Sequence, residues 1–169
     1  CELSFADEGR YITKFISKIS SQVLKYDSKK NWILKNKTGK VLYKIVDHNF
    51  TSMTIKISND GNSIVIIDDY AWKGEIENRK ALWFFYKGKL LSSYKFTDLL
   101  NDTCNISFSS SHMDWLVGNF GFTNNEKEFS FSTNEFFDYT CNPIKGNIIM
   151  VLRPKGIDES TNIVFGKFQ

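Results

Sequence analysis

The chain has 169 residues, with 22 basic and 19 acidic side chains and a formal charge of +3. That is a mixed surface, too weakly basic to imply nucleic acid as a partner. Aromatics are 15% of the chain against 2 prolines, a balance that favours pleated, half-buried surfaces, and no apolar run approaches the roughly 18–20 residues of a membrane-spanning helix.

The sequence opens on Cys1. As the cysteine left after signal-peptide removal it would carry a lipid and make this a bacterial envelope lipoprotein, on the outer membrane or its periplasmic face. As an arbitrary boundary it carries no meaning, and both readings stand. Tyr11, Ile12, Phe15, Ile16, Ile19 and Val23 then recur at helical spacing, but Gly9 before a Tyr/Ile/Thr/Phe run also fits a hairpin turn. Strand is the preferred reading, because the same pattern returns where helix does not fit. Three short strands follow over 23–26, 32–35 and 40–45, with turns at Asp27–Lys30 and Asn36–Gly39.

From 55 to 96 the pattern is clearest. Asn59-Asp60-Gly61 lies between two β-branched runs, and Lys87-Gly88-Lys89 lies between an aromatic run and an aliphatic one. Each is a hairpin signal, since such turns demand positive φ. Two consecutive hairpins make one four-stranded sheet. Phe96–Asn101 is the helix candidate, with Thr97 or Asp98 as cap. Ser107–Ser111 reads as loop and Met113–Phe122 as irregular strand around Gly118 and Gly121. Glu128–Thr133 alternates at period two, Ile148–Leu152 is the last strong strand, and Asn162–Phe165 is a further edge-strand candidate.

A weak repeat runs through these elements. Gly39-Lys40-Val41-Leu42-Tyr43 resembles Gly88-Lys89-Leu90-Leu91-Ser92, and Gly9-Arg10-Tyr11-Ile12 resembles Gly61-Asn62-Ser63-Ile64. A degenerate third copy ends at Gly146-Asn147-Ile148-Ile149-Met150. A period of roughly 50 residues with four strands each points to blade-like units. The expected fold is therefore all-β: two to three antiparallel four-stranded units over 3–46, 53–96 and 115–152 of a single β-rich domain. Closed propellers typically need 4–8 blades, so the arrangement is open, a sandwich, or closed by homo-oligomerisation.

Ser58-Asn59-Asp60-Gly61-Asn62-Ser63-Ile64-Val65, then Asp68-Asp69-Tyr70, then Leu82-Trp83-Phe84-Phe85-Tyr86-Lys87-Gly88-Lys89-Leu90-Leu91 through Tyr94 resembles a pattern in uncharacterised bacterial envelope proteins with propeller-like repeats. The resemblance covers about 57–100 well and implies a blade-like hairpin pair. It implies no chemistry, and the aromatic loop of that pattern is reduced here to Tyr70-Ala71-Trp72-Lys73-Gly74.

Candidate chemistry is sparse. Cys104 and Cys141 form a disulfide candidate in an oxidising compartment, in which Cys1 could replace either partner, with two buried thiols as the alternative. His48 and His112 have no partner spacing for metal, and the Ser109–Asp114 run around His112 is not a nucleophile elbow. Asp68, Asp69, Glu75 and Glu77 would suit acid–base work or a hard cation, but no calcium-loop signature accompanies them, and solvated charges flanking a buried strand are the simpler reading. The basic and aromatic residues interleaved at 25–44 are read as solvent-facing strand positions rather than a nucleic-acid grip. Trp83–Tyr86 is read as core, whereas Tyr70, Trp72, Lys73, His112 and Trp115 are the expected contact residues.

The sequence thus predicts a non-enzymatic envelope lipoprotein without cofactor or metal. It would bind another protein or a surface ligand through loops 69–79 and 107–114, touching membrane only through a lipid on Cys1. A hydrolase using the 68–77 connection and an inhibitor or immunity-type protein are the alternatives.

Overall fold

β-Branched and aromatic runs punctuated by glycine turns fold into three antiparallel four-stranded sheets. A computed structural model describes residues 14–16, 22–26, 31–46, 54–69, 76–108 and 113–153. The first sheet is β1 (Lys14–Ile16), β2 (Val23–Tyr26), β3 (Asn31–Lys35) and β4 (Val41–Val46). The second is β5 (Thr54–Ile57), β6 (Ser63–Ile67), β7 (Lys80–Tyr86) and β8 (Lys89–Lys95). Helix α1 (Phe96–Leu99) follows, then the two-residue strands β9 (Ser107–Phe108) and β10 (Met113–Asp114), which pair with each other. The third sheet is β11 (Leu116–Phe122), β12 (Phe129–Thr133), β13 (Asp138–Asn142) and β14 (Asn147–Leu152). Every sheet is a meander in chain order, so the protein is all-β and built from blade-like units. Ser107 and Phe108, expected as loop, are strand because Met113 and Asp114 supply backbone partners.

The three sheets stack face to face, with the second in the middle. One core cluster joins Leu24, Trp32, Leu34 and Ile45 of the first sheet to Ile55, Ile64, Ile66 and Phe85 of the second. A larger one joins Val65, Ile67, Leu82 and Phe84 to Phe129, Phe131, Tyr139 and Cys141 of the third. Strand β6 is therefore buried at all five positions: Ile64 and Ile66 face one neighbour, Val65 and Ile67 the other. A strand covered on both faces loses polar alternation. Of the run at 83–86, expected as core, three residues join it, whereas Tyr86 is half-buried and belongs to neither cluster. Phe84 and Phe85 are fully buried on opposite faces, and Trp83 packs against the first cluster. Phe84 meets Phe129 edge to face, with ring centroids 6.3 Å apart, a geometry that adds to simple area burial.

The repeat is visible in the backbone. Gly39, Gly88 and Gly146 each lie in the turn before the last strand of a sheet, at φ of 83°, 82° and 72°. Three residues after each glycine the ladder skips one residue. Leu42 is passed over between Val41 and Tyr43, Leu91 between Leu90 and Ser92, and Ile149 between Ile148 and Met150. One extra residue at the same place in three strands is a β-bulge shared by the three units.

Helix α1 is a single turn. Its cap differs from expectation: neither Thr97 nor Asp98 precedes the helix, and the Asp98 carboxylate instead accepts from the Lys95 backbone N–H at 2.6 Å. The edge strand expected at 162–165 lies outside the described residues.

Candidate functional site

The end of the second sheet at Asp68-Asp69 gathers the starts and ends of three connections. Asp69 lies just past β6 and leads into 70–75; its backbone carbonyl accepts from Met113 N at 2.8 Å, where 109–112 ends. Its carboxylate accepts from Thr54 N at 3.1 Å and from Thr54 Oγ1 at 2.5 Å, where 47–53 ends. One residue, through its backbone carbonyl and its carboxylate, thus ties together the roots of the connections that carry His48, Tyr70, Trp72, Lys73 and His112. Those five residues, together with Glu75 and Cys1, lie outside the described residues.

Behind this point the frame is dry. Asp68 is 1% exposed and forms a two-pronged pair with Arg79: Nε to Oδ2 at 2.5 Å and Nη2 to Oδ1 at 2.9 Å. Planar fork-to-fork pairing fixes orientation as well as charge. The Asp68 backbone carbonyl accepts from the indole N–H of Trp115 at 2.7 Å. Trp115 is fully buried and meets Phe96 edge to face at 5.2 Å between centroids. Its assignment as a contact residue is overturned: the indole finds a backbone acceptor 47 positions away and packs as core.

The acidic connection is corrected in the same way. Asp68 is buried rather than solvated, Asp69 is half-buried, and the two are not poised as an acid–base pair, since each carboxylate is occupied by structural bonds. Glu77 sits in a single 3-10 turn at Ile76–Asn78. Among the described residues no three His, Cys, Asp or Glu side chains are placed to hold a metal ion. Arg79 was missed by sequence reasoning. An isolated arginine in a polar crossing, 11 positions from its partner, has no periodic signature.

The disulfide between Cys104 and Cys141 is not formed; both are free thiols. Cys104 is exposed in the 3-10 turn after α1, whereas Cys141 is fully buried on β13 in the core shared with the second sheet. Burial pushes the Cys141 thiol up to about 12, and a hydrogen bond and charge from Asp102 raise Cys104. Neither has the lowered pKa of a reactive cysteine.

A second polar node fixes the third sheet to the end of α1. Glu135 accepts from the backbone N–H of Asn101 and Asp102, each at 2.8 Å. Tyr139 donates to the Leu99 carbonyl at 2.7 Å. The region is a hydrogen-bonded support on which loops are mounted.

No known family matches the sequence, and no curated protein matches it. Solved structures do share its fold. A structure described as a eukaryotic initiation factor superposes with a TM-score of 0.55 at 12% identity, over 93% of this chain and 36% of that one. The WD40 repeats of RRP9 give 0.48 at 9% identity, over 90% and 41%. The β-propeller domain of Cps50 (Swd1) from Myceliophteria thermophila gives 0.44 at 12%, over 86% and 44%. The chain spans less than half the length of each.

Proposed function

We propose that this protein is a non-enzymatic binding module that engages another protein through the connections rooted at Asp69. The carrying observation is the convergence of three connections on one buried frame whose carboxylates are already committed to Arg79 and Thr54. Loops held at their roots by a rigid scaffold are where binding residues concentrate. The blade-like fold supports the same reading, and no acid–base pair remains in the described part of the 68–77 connection to support a hydrolase.

The test replaces Trp72 and Lys73 with alanine and, separately, installs a photo-crosslinker at position 72. Native cell extract should yield a defined crosslinked protein that the purified wild-type chain binds directly. Trp72→Ala should weaken that binding at least tenfold while circular dichroism and melting temperature stay unchanged. Equal binding by the alanine variant overturns the assignment. The expectation of an envelope lipoprotein is tested separately, by the intact mass of the native protein and acylation at Cys1.

A further inference from the structure

The contact that joins one sheet to the next occurs twice inside this chain, and among the described residues its two halves recur unmet on the two outer sheets. In the first instance the Gly88 turn of the second sheet lies on β4. A Cβ at Gly88 would sit 2.6 Å from the Lys44 carbonyl and 2.9 Å from the Tyr43 ring. In the second, the Gly146 turn of the third sheet lies on β8, where a Cβ would sit 2.7 Å from both Leu91 Cβ and Ser92 Oγ. Ser92 and Tyr94 hydroxyls donate to the Gly146 carbonyl, the latter at 2.9 Å. Gly39 is the counterpart in the first sheet, yet among the described residues nothing lies within 4 Å of a Cβ placed there. The counterparts of Leu91 and Ser92 in the third sheet are Ile149 and Met150, which are 49% and 45% exposed.

The exposed apolar side chains have the same distribution. Nine large hydrophobics are exposed among the described residues; Val41, Leu42 and Val46 lie on β4, and Ile149, Met150 and Leu152 on β14. These are the last strands of the two outer sheets, which adjoin wherever one unit follows another. Clustered exposed apolar side chains mark interaction sites.

Charge selects the pairing. Cross-strand register places Lys25, Ile33 and Lys44 in one row of the outward face of the first sheet, and Val23, Lys35 and Val41 in the next. No carboxylate shares these rows. The outward face of the third sheet carries Ser130, Thr140 and Met150 in one row and Ser132, Asp138 and Leu152 in another, without a cation. Two first sheets back to back would set lysine against lysine, whereas a first sheet on a third sets lysine against Asp138 and hydroxyls.

We infer that the protein self-associates head to tail, the outward face of the first sheet of one copy stacking on the outward face of the third sheet of another. The Gly39 turn seats on Ile149 and Met150, and Lys25 and Lys44 approach Asp138. The pairing is heterologous, so it closes into a ring or propagates, according to the angle between copies. Because both faces carry polar residues where the internal contacts carry Leu, Ile and Phe, the association is reversible and depends on concentration and salt. It goes beyond the loop-borne binding proposed above and uses a different surface.

Sedimentation equilibrium and light scattering over a wide concentration range test it. At low salt the mean mass should rise above the 19.6 kDa of one chain and fall back in molar salt. The double charge reversal Lys25→Glu/Lys44→Glu and the single reversal Asp138→Lys should each lower self-affinity at least tenfold, with circular dichroism unchanged. An equimolar mixture of the two variants should regain association, because the reversed faces match again. A mass that stays at one chain up to the solubility limit overturns the proposal, as does association that both reversals leave untouched or a mixture no stronger than its parts.

Discussion

The second and third sheets carry the same strand count and the same bulge, yet their sequences look different. In the second sheet β6 reads Ser-Ile-Val-Ile-Ile and is buried throughout. In the third, β12 reads Phe-Ser-Phe-Ser-Thr and is buried at alternate positions. The difference is the number of covered faces. A sheet between two neighbours must be apolar on both sides, and a sheet at the end of the stack on one. Periodicity in this chain therefore reports position in the stack as much as secondary structure.

The largest expected effect breaks the middle sheet. Phe84→Ala removes a fully buried ring from the contact with Phe129 and should cost about 3–5 kcal/mol, read as a drop in the urea midpoint. By comparison Ser130→Ala, on the outward face of the third sheet, should stay within about 0.5 kcal/mol. A cost for Ser130→Ala matching that of Phe84→Ala would mean that the two sheets are equally enclosed.

Next come the turn glycines. Gly88→Ala should cost about 2–3 kcal/mol, combining the left-handed backbone penalty with a clash against the Lys44 carbonyl. Gly39→Ala meets the same backbone penalty in open space and should cost only about 1 kcal/mol in the monomer at low protein concentration. Equal melting temperatures for the two variants would remove the distinction between an inner and an outer turn.

The smallest effect separates the core of the third sheet by pH. Burial, then the nearby Glu135 charge, pushes the Tyr139 hydroxyl from 10.0 to about 12. A raised folded pKa stabilises the protein fully below the unfolded value, and that contribution is lost as pH climbs between the two. Stability should fall from about pH 10 to pH 12. Tyr139→Phe should flatten that limb while losing about 1 kcal/mol at neutral pH with the bond to Leu99. An unchanged alkaline limb would place the titration elsewhere, with the buried Cys141 thiol the next group to replace.

Much of the architecture was legible in the residues. Glycine turns at 39, 61 and 88 and the strands beside them follow from local chemistry, because positive φ and β-branching act within a few residues. What escaped is what depends on distant partners. The Asp68–Arg79 fork and the Trp115 indole on the Asp68 carbonyl join segments that share no local pattern. Trp115, expected as a contact residue, is made core by its distant partners Phe96, Phe131 and the Asp68 carbonyl. Cys104 and Cys141 are chemically alike in sequence, and burial alone tells them apart. The bulge three residues past each turn glycine also left no mark, since Leu42, Leu91 and Ile149 look like ordinary strand residues.

That bulge has a consequence for how the chain stays out of aggregates. Strands β4, β8 and β14 each lie at the free edge of a sheet, where unpaired backbone groups invite a foreign strand to add on. An extra residue bends the edge, increases its twist and interrupts the row of evenly spaced donors and acceptors. Deleting Leu42 or Ile149 would straighten the edge into a template for amyloid-like growth. The irregularity thus guards against the wrong kind of polymer in a protein whose outer strands carry apolar side chains.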